Sequence, residues 1–411
     1  MVVGTLGKVG GIAGGWLEPT CDGGIDTNNP CYTLSGLTSY VNKAQVNGLT
    51  VVYDFGIPGW MCGAPGFGTG CTTLPSNLTW LSNFAIALAT KYKGLIKYYE
   101  TGNEVNNGLA WTDTCANLVL AHNTIYAAIK AVDPTAIVGA PNMAAFNGSF
   151  AGQGACVNSP VAAGNSASVW LDNFLQTHDR NGNLPKVDTV GVHTYAAQVY
   201  TSPDGCDWSA NKLHCAAAPL LHLYNSFRAL MTNNGIKSIP LLVTEGGFNV
   251  DNSSSVGAYG CSINVNNLTA CLTNAQQVAY VGRWLVLSAS TWADGKGQLA
   301  NWYAYDFDWG TLNGKYGMNP QNSSAYGQTE NWIKGATFSQ QCHTGSPTTV
   351  FVCDFTNVQG QRNEIIFNDD NGATASYTTP GWATSYQPLL GSSAGIVGEI
   401  VTVGDNPILL K

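Results

Sequence analysis

Tyr98-Tyr99-Glu100-Thr101-Gly102-Asn103-Glu104 and Pro240-Leu241-Leu242-Val243-Thr244-Glu245-Gly246-Gly247 decide the reading of this chain. In the first stretch an apolar run passes directly into a polar Gly-Asn-Glu turn. In the second, Glu245 closes a very hydrophobic run. A carboxylate at the end of a buried strand is costly unless it is used or paired. Only 25 of the 411 residues are acidic, so two such placements carry information.

Outward from these two stretches, short β-rich runs alternate with amphipathic helical stretches from about residue 49 to 336, the βαβα pattern of a parallel sheet. The expected strands are Leu49–Phe55, Ile96–Thr101, Ala136–Ala140, Val187–Thr194, Ile239–Glu245 and Ala300–Phe307, near-continuous apolar runs suited to burial on both faces. Trp80, Phe84 and Leu88 mark one helix face, Ile125 and Ile129 another, and Asp133-Pro134 ends the second of these helices. A further helix is expected at Asn274–Ser290, N-capped by Asn274, with Val278, Val281 and Leu285 facing inward.

This pattern predicts a (β/α)8 TIM barrel over residues 1–336. Val2–Val9 supplies one more strand, which still leaves the set short, so the expectation is either a natural chain longer at its N-terminus or a barrel lacking N-terminal strand structure. After residue 337 the helical period disappears. Thr349–Phe355, Asn363–Phe367 and Gly398–Val403, separated by Gly, Asn and Asp turns, predict a small β-sandwich over 337–411.

Composition narrows the partners. Charged residues make up 10%, and 17 Lys+Arg against 25 Asp+Glu give a net charge of −8 without a basic block, which excludes a phosphate-tracking surface. Neutral hydroxyl and amide side chains with 12 Trp and 18 Tyr suit an uncharged polyhydroxylated ligand, whose rings stack on aromatic faces. No apolar run is long enough to insert into a membrane. The protein is expected to be a monomer.

The 12 cysteines fall into close neighbours, Cys21/Cys31, Cys62/Cys71, Cys206/Cys215, Cys261/Cys271 and Cys342/Cys353, leaving Cys115 and Cys156. Structural disulfides in an oxidising, extracellular compartment are the expectation. The sequons at Asn77, Asn147, Asn252, Asn267 and Asn322 are compatible with secretion. Met1–Thr20 lacks the charged start and apolar core of a signal peptide, so an export signal is expected to be removed or to lie upstream. Neither a Cys-x-x-Cys spacing nor a His-Glu-x-x-His pair occurs, so neither a metal nor another cofactor is implied.

Other motifs read as loops. Gly391-Ser392-Ser393-Ala394-Gly395 matches Gly-x-Ser-x-Gly but lies in the β-rich tail without a strand-to-helix elbow. Gly66-Phe67-Gly68-Thr69-Gly70 lacks the third glycine of a dinucleotide fingerprint and reads as a turn.

Counted along the expected barrel, Glu104 and Glu245 end the fourth and seventh strands and face the same rim, where barrel enzymes build their sites. Two carboxyls about 5–5.5 Å apart across a sugar suit double-displacement hydrolysis of a glycosidic bond, whereas a wider gap suits inversion. Asn103, beside Glu104, is suited to hydrogen-bond a sugar 2-hydroxyl.

With Asn-Glu closing strand four and Glu closing strand seven, the chain resembles the clan A retaining glycoside hydrolases. Family 39 and its relatives look closest. The similarity takes in Phe55-Gly56-Ile57-Pro58-Gly59-Trp60, Gly191-Val192-His193-Thr194-Tyr195 and Ala325-Tyr326 through Trp332-Ile333-Lys334-Gly335-Ala336. The resemblance implies Glu104 as acid/base beside Asn103, and Glu245 as nucleophile. It implies that His193 and Tyr195 line the site, with Tyr195 hydrogen-bonded to Glu245, and that Trp302 or a neighbour is a sugar platform. Trp60 and Trp309 are further candidates for stacking, with a core role as the alternative.

Two departures from the family pattern stand out. Lys8 is the nearest cation where an Arg is usual, and Asn103-Glu104-Val105 replaces Asn-Glu-Pro. The rival expectation is a non-catalytic carbohydrate-binding or structural surface protein on the same barrel.

Overall fold

The computed structural model describes residues 8–9, 34–62, 70–106, 110–144, 156, 166–194, 218–246, 274–295, 300–301, 320–368 and 373–411. The chain divides into two compact units, one of residues 4–193 with 226–244 and the other of residues 1–3, 194–225 and 245–411.

From the N-terminus the elements run β1 (Lys8–Val9), α1 (Ser35–Val46), β2 (Val51–Asp54), α2 (Leu78–Lys91), β3 (Ile96–Glu100), α3 (Cys115–Val132), β4 (Ile137–Gly139), β5 (Met143–Ala144), α4 (Ser166–Gln176), β6 (Val190–His193), α5 (Ala218–Asn233) and β7 (Leu241–Glu245). Strands β1-β2-β3-β4 form a parallel sheet in that order. A second sheet has the order β5-β6-β7. A parallel bridge between Gly139 and Thr189 ties β4 to the residue just before β6. The predicted strand–helix alternation is therefore present through β7, whereas the expected strand Ala300–Phe307 lies, beyond Asn301, outside the described residues.

Burial explains why these runs are strands. Val51, Val52, Tyr53 and Asp54 of β2 are all buried, as expected when helices cover both faces of a parallel sheet. Phe55 packs edge-on against Tyr53 at 5.9 Å and against Phe84 of α2 at 5.3 Å. Helix α2 starts where the Asn77 side chain accepts from the Thr79 N–H, and α3 where Thr114 accepts from Asn117 N–H. The buried face of α2 contains Leu81, Phe84, Ala85 and Leu88. Trp80, predicted to lie on that face, is only half-buried, because Leu81 takes the fully buried position beside it. Ile125 and Ile129 of α3 are fully buried as expected, and Asp133 accepts from the N–H and hydroxyl of Thr135 to close that helix end.

One boundary differs in a way that matters for the site. The predicted strand Ala136–Ala140 stops at Gly139 and resumes at Met143 as β5. Pro141 has no N–H for the ladder, so the chain leaves the β3–β4 ladder at Ala140-Pro141-Asn142, and Met143–Ala144 then pairs with β6 in the second sheet. Of Val2–Val9, only Lys8–Val9 lies within the described residues, as β1.

In the second unit, α6 (Asn274–Ser290) has the predicted bounds, with Val278, Val281 and Leu285 buried. The side chain of Asn274, the expected cap, lies outside the described residues. Then follow α7 (Pro320–Ile333), β8 (Thr337–Phe338), β9 (His343–Thr344), β10 (Val350–Thr356), β11 (Arg362–Asn368), β12 (Ala375–Thr378), β13 (Ser385–Pro388), β14 (Ala394–Gly395), β15 (Ile400–Val403) and β16 (Ile408–Leu410). A seven-stranded sheet has the order β14-β13-β16-β11-β10-β8, with β9 on β10, and β12 pairs β15 separately. Val350, Val352, Ile366, Ile408 and Leu410 of the large sheet share one apolar cluster with Val401 and Val403 of the small one. The loop Gly391-Ser392-Ser393 leads into β14, in keeping with the reading of that motif as a loop.

Arg283 of α6 ties this helix to the β-rich tail. Its Nε donates to the Asp405 carbonyl at 2.7 Å, and its Nη2 donates to the Asn368 carbonyl at 2.8 Å and to Asp405 Oδ1 at 3.0 Å. The guanidinium also lies 5.1 Å from the Phe367 ring centre.

Disulfides join Cys62–Cys71, Cys115–Cys156 and Cys342–Cys353, as the cysteine spacing anticipated. Cys21/Cys31, Cys206/Cys215 and Cys261/Cys271 lie outside the described residues. Among the described residues no helix is long and apolar enough to cross a membrane.

Candidate active site

Glu104 follows β3 through the turn Thr101-Gly102-Asn103, and its own backbone adopts a left-handed φ of 47°. That conformation costs an L-residue on the order of 1 kcal/mol, so something must hold it. The Glu104 N–H donates to Asn142 Oδ1 at 2.7 Å, and the Asn142 N–H donates to the Gly102 carbonyl at 2.9 Å. The excursion of the chain between β4 and β5 thus braces the turn. Gly102 has no room for a side chain, since a Cβ there would meet Val105 Cγ1 at 2.8 Å.

The Glu104 carboxylate is 21% exposed, enough to meet a ligand, and its Oε1 lies 2.7 Å from Nδ1 of fully buried His193 at the end of β6. A bond of this kind persists through a proton cycle. With the hydrogen on Nδ1, the ring donates to Oε1 both when the carboxyl is ionised and when it holds its proton on Oε2, which leaves Oε2 free to exchange that proton with a ligand.

Beneath the turn, the Thr101 hydroxyl meets His122 Nδ1 of α3 at 2.7 Å, while His122 Nε2 meets the Lys186 carbonyl at 2.7 Å. A carbonyl only accepts, so Nε2 carries the proton and Nδ1 accepts from Thr101. Burial drives the His122 pKa down to about 4, which keeps this ring neutral.

Glu100, the last residue of β3, is buried with its Oε2 accepting from Asn142 Nδ2 at 2.8 Å. Gly191 of β6 is glycine for this reason: a Cβ there would collide with the Glu100 carboxylate.

In the other unit, Glu245 closes β7 and is half-buried, and its carbonyl accepts from the Thr194 N–H at 2.8 Å. The next residue must be glycine, because a Cβ on Gly246 would meet Trp284 Nε1 at 2.7 Å and Thr194 Oγ1 at 2.8 Å. Trp284 Nε1 itself donates to Thr194 Oγ1 at 3.3 Å.

Of the predicted site residues, Glu104 and His193 are in direct contact, Asn103 is exposed on the turn, and Glu245 stands at its strand end. Trp60 lies in a short 3-10 turn, Gly59–Met61, and its side chain lies outside the described residues, as do Tyr195, Trp302 and Trp309. Sequence reading missed Asn142, Glu100, Thr101 and His122. The available signals were a carboxylate in the run Tyr98-Tyr99-Glu100 and the interruption at Pro141-Asn142.

The sequence matches the family described as Cellulase (glycosyl hydrolase family 5) over residues 14–284, a span that contains Glu104, His193 and Glu245. No curated protein matches it. Among solved structures, a family 39 glycoside hydrolase from the gut symbiont Bacteroides cellulosilyticus WH2 aligns at TM-score 0.60 and 15% identity, over 94% of this chain and 72% of that one. A monomeric beta-xylosidase from Caulobacter crescentus CB15 aligns at TM-score 0.55 and 15% identity, over 92% and 84%. A family 44 xyloglucanase from Paenibacillus polymyxa aligns at TM-score 0.54 and 12% identity, over 92% and 84%. At such identities the likeness is one of fold.

Proposed function

The chain belongs to the cellulase family, glycosyl hydrolase family 5, and from that membership we propose that it is a retaining enzyme cleaving a β-linked poly- or oligosaccharide. It is a glycoside hydrolase of clan A, whose fold is the (β/α)8 barrel. The observation that carries the reading is the partly exposed carboxylate of Glu104, held on a strained turn and hydrogen-bonded by buried His193.

In this reading Glu104 begins protonated and gives its proton to the glycosidic oxygen as the bond to the anomeric carbon breaks. The Glu245 carboxylate attacks that carbon and forms the glycosyl-enzyme. Glu104, now a carboxylate, takes a proton from water while the water oxygen attacks the anomeric carbon and releases Glu245. His193 keeps its bond to Glu104 in both protonation states, which supports the switch from acid to base. The assignment of Glu245 is supported by its position at the end of β7.

The same reading assigns Asn103 to the sugar 2-hydroxyl, Tyr195 to Glu245, and Trp302, with Trp60 and Trp309, to stacking on sugar rings. A catalytic barrel over 1–336 with a β-sandwich companion over 337–411 is its domain plan, supported by the apolar cluster shared between the two C-terminal sheets. An extracellular location is supported by the disulfides. The substrates for which two of the fold relatives are named, xylosides and xyloglucan, belong in the panel to be tested.

The test is the anomeric configuration of the first product released from aryl β-cellobiosides and from a polysaccharide panel, followed by NMR, with Glu245→Ala beside the wild type. Retention, with hydrolysis lost in the variant, is expected. Inversion, or unchanged hydrolysis by Glu245→Ala, overturns the mechanism, and a wild type inert on the whole panel favours the non-catalytic binding role.

A further inference from the structure

We propose that Glu100 and Asn142 are positioning residues for Glu104: a buried carboxylate orients a buried amide, which sets the backbone conformation of the acid/base. The proposal rests on the reading of Glu104 as that acid/base.

The first link is the amide. Asn142 is fully buried, and its side-chain oxygen accepts the Glu104 N–H at 2.7 Å. This bond falls on the residue whose φ of 47° an L-amino acid rarely adopts, so it acts where the backbone needs holding. An amide flipped end for end would present NH2 to that N–H and repel it.

The second link decides the flip. Glu100 Oε2 accepts from Asn142 Nδ2 at 2.8 Å. A carboxylate is an acceptor only, so it accepts the amide NH2 and turns the amide oxygen toward Glu104.

The third link fixes Glu100 itself. Its carboxylate fills the space that a side chain on Gly191 would need, so β6 leaves a slot for it. Gly191 stands two residues before His193, which bonds the Glu104 carboxylate. The acid/base is thus gripped at its backbone through Glu100 and Asn142, and at its carboxylate through His193. Displacing a reacting group by about 1 Å costs roughly 100-fold in rate, so a buried carboxylate that never meets substrate still governs turnover.

The test uses the full chain and four variants, Glu100→Ala, Glu100→Gln, Asn142→Ala and Glu104→Gln. It compares kcat/KM on dinitrophenyl and on phenyl β-cellobioside, because only the poorer leaving group needs the acid. Glu100→Ala and Asn142→Ala are expected to lose roughly 100-fold on the phenyl glycoside and much less on the dinitrophenyl one. Glu100→Gln, which keeps an oxygen able to accept from Asn142, is expected to stay near wild type on both.

Amide hydrogen exchange across Gly102–Val105 is the readout that does not depend on turnover. It should speed up in Glu100→Ala and Asn142→Ala and stay unchanged in Glu100→Gln. Equal losses on both substrates, or unaltered exchange at the turn, overturn the proposal. If Glu104→Gln itself shows no dependence on the leaving group, the acid/base reading fails, whatever the exchange data say about the brace.

Discussion

His193 Nδ1 lies 2.7 Å from Glu104 Oε1, one partner fully buried at the end of β6 and the other partly exposed beyond β3. A buried ring holding a partly exposed carboxyl fixes the direction from which a proton is delivered. Replacing His193 with alanine is expected to lower kcat/KM on phenyl β-cellobioside on the order of 100-fold, and less on the dinitrophenyl glycoside. Equal losses on both substrates would show that His193 serves only the packing.

Gly246 has the indole of Trp284 and the hydroxyl of Thr194 where a Cβ would be. Gly246→Ala is expected to push the backbone of Glu245 out of place, costing about 1–3 kcal/mol of stability and roughly 100-fold in kcat. Urea unfolding and steady-state kinetics measure the two effects. A variant with wild-type kcat would mean that the turn tolerates displacement.

Asp354 and Glu364 stand directly opposite each other across the β10–β11 ladder, with Arg362 Nη2 3.1 Å from Asp354 and 3.2 Å from Glu364. Burial, and then repulsion from Asp354, pushes the Glu364 pKa up to about 7. An unfolded glutamate titrates near about 4.3, so between these values the folded chain holds the extra proton. The contribution to stability is present below the unfolded pKa and is lost as pH rises through about 7. Asp354 moves the other way, its carboxyl held low by hydrogen bonds from Arg362 and its neighbours despite burial. Glu364→Gln is therefore expected to raise the urea midpoint relative to wild type at about pH 8, and to lose that advantage at about pH 5. The same difference at both pH values would rule out Glu364 as the titrating group.

Arg283 is buried and feeds three hydrogen bonds into the Asn368 and Asp405 region. Arg283→Met is expected to cost about 3 kcal/mol, since it leaves buried acceptors unpaired, and Arg283→Lys about half that. Equilibrium unfolding measures both, and a neutral Arg283→Met would mean that water satisfies those carbonyls.

Much of the fold was legible because its signals are local. Ile96–Glu100 and Asn274–Ser290 follow from apolar runs and a helical period that any neighbouring packing reinforces. The break at Pro141 follows from a missing N–H, although what the break is for does not. Small additions such as β5, β8 and β14, two residues each, were invisible because so short a run has no period to read.

What the amino-acid order determined by itself was where most of the described strands and helices lie, that Glu245 ends a strand and that Glu104 follows one across a short turn. Tertiary structure alone decided which polar groups meet. Asn142 with Glu104, His122 with Thr101 and His193 with Glu104 are separated by 38, 21 and 89 residues. Along the chain, a polar residue in a buried run reads as an uncompensated cost. Only folding supplies the partner that removes the cost, because hydrogen bonds depend on distance in space and not on separation in sequence.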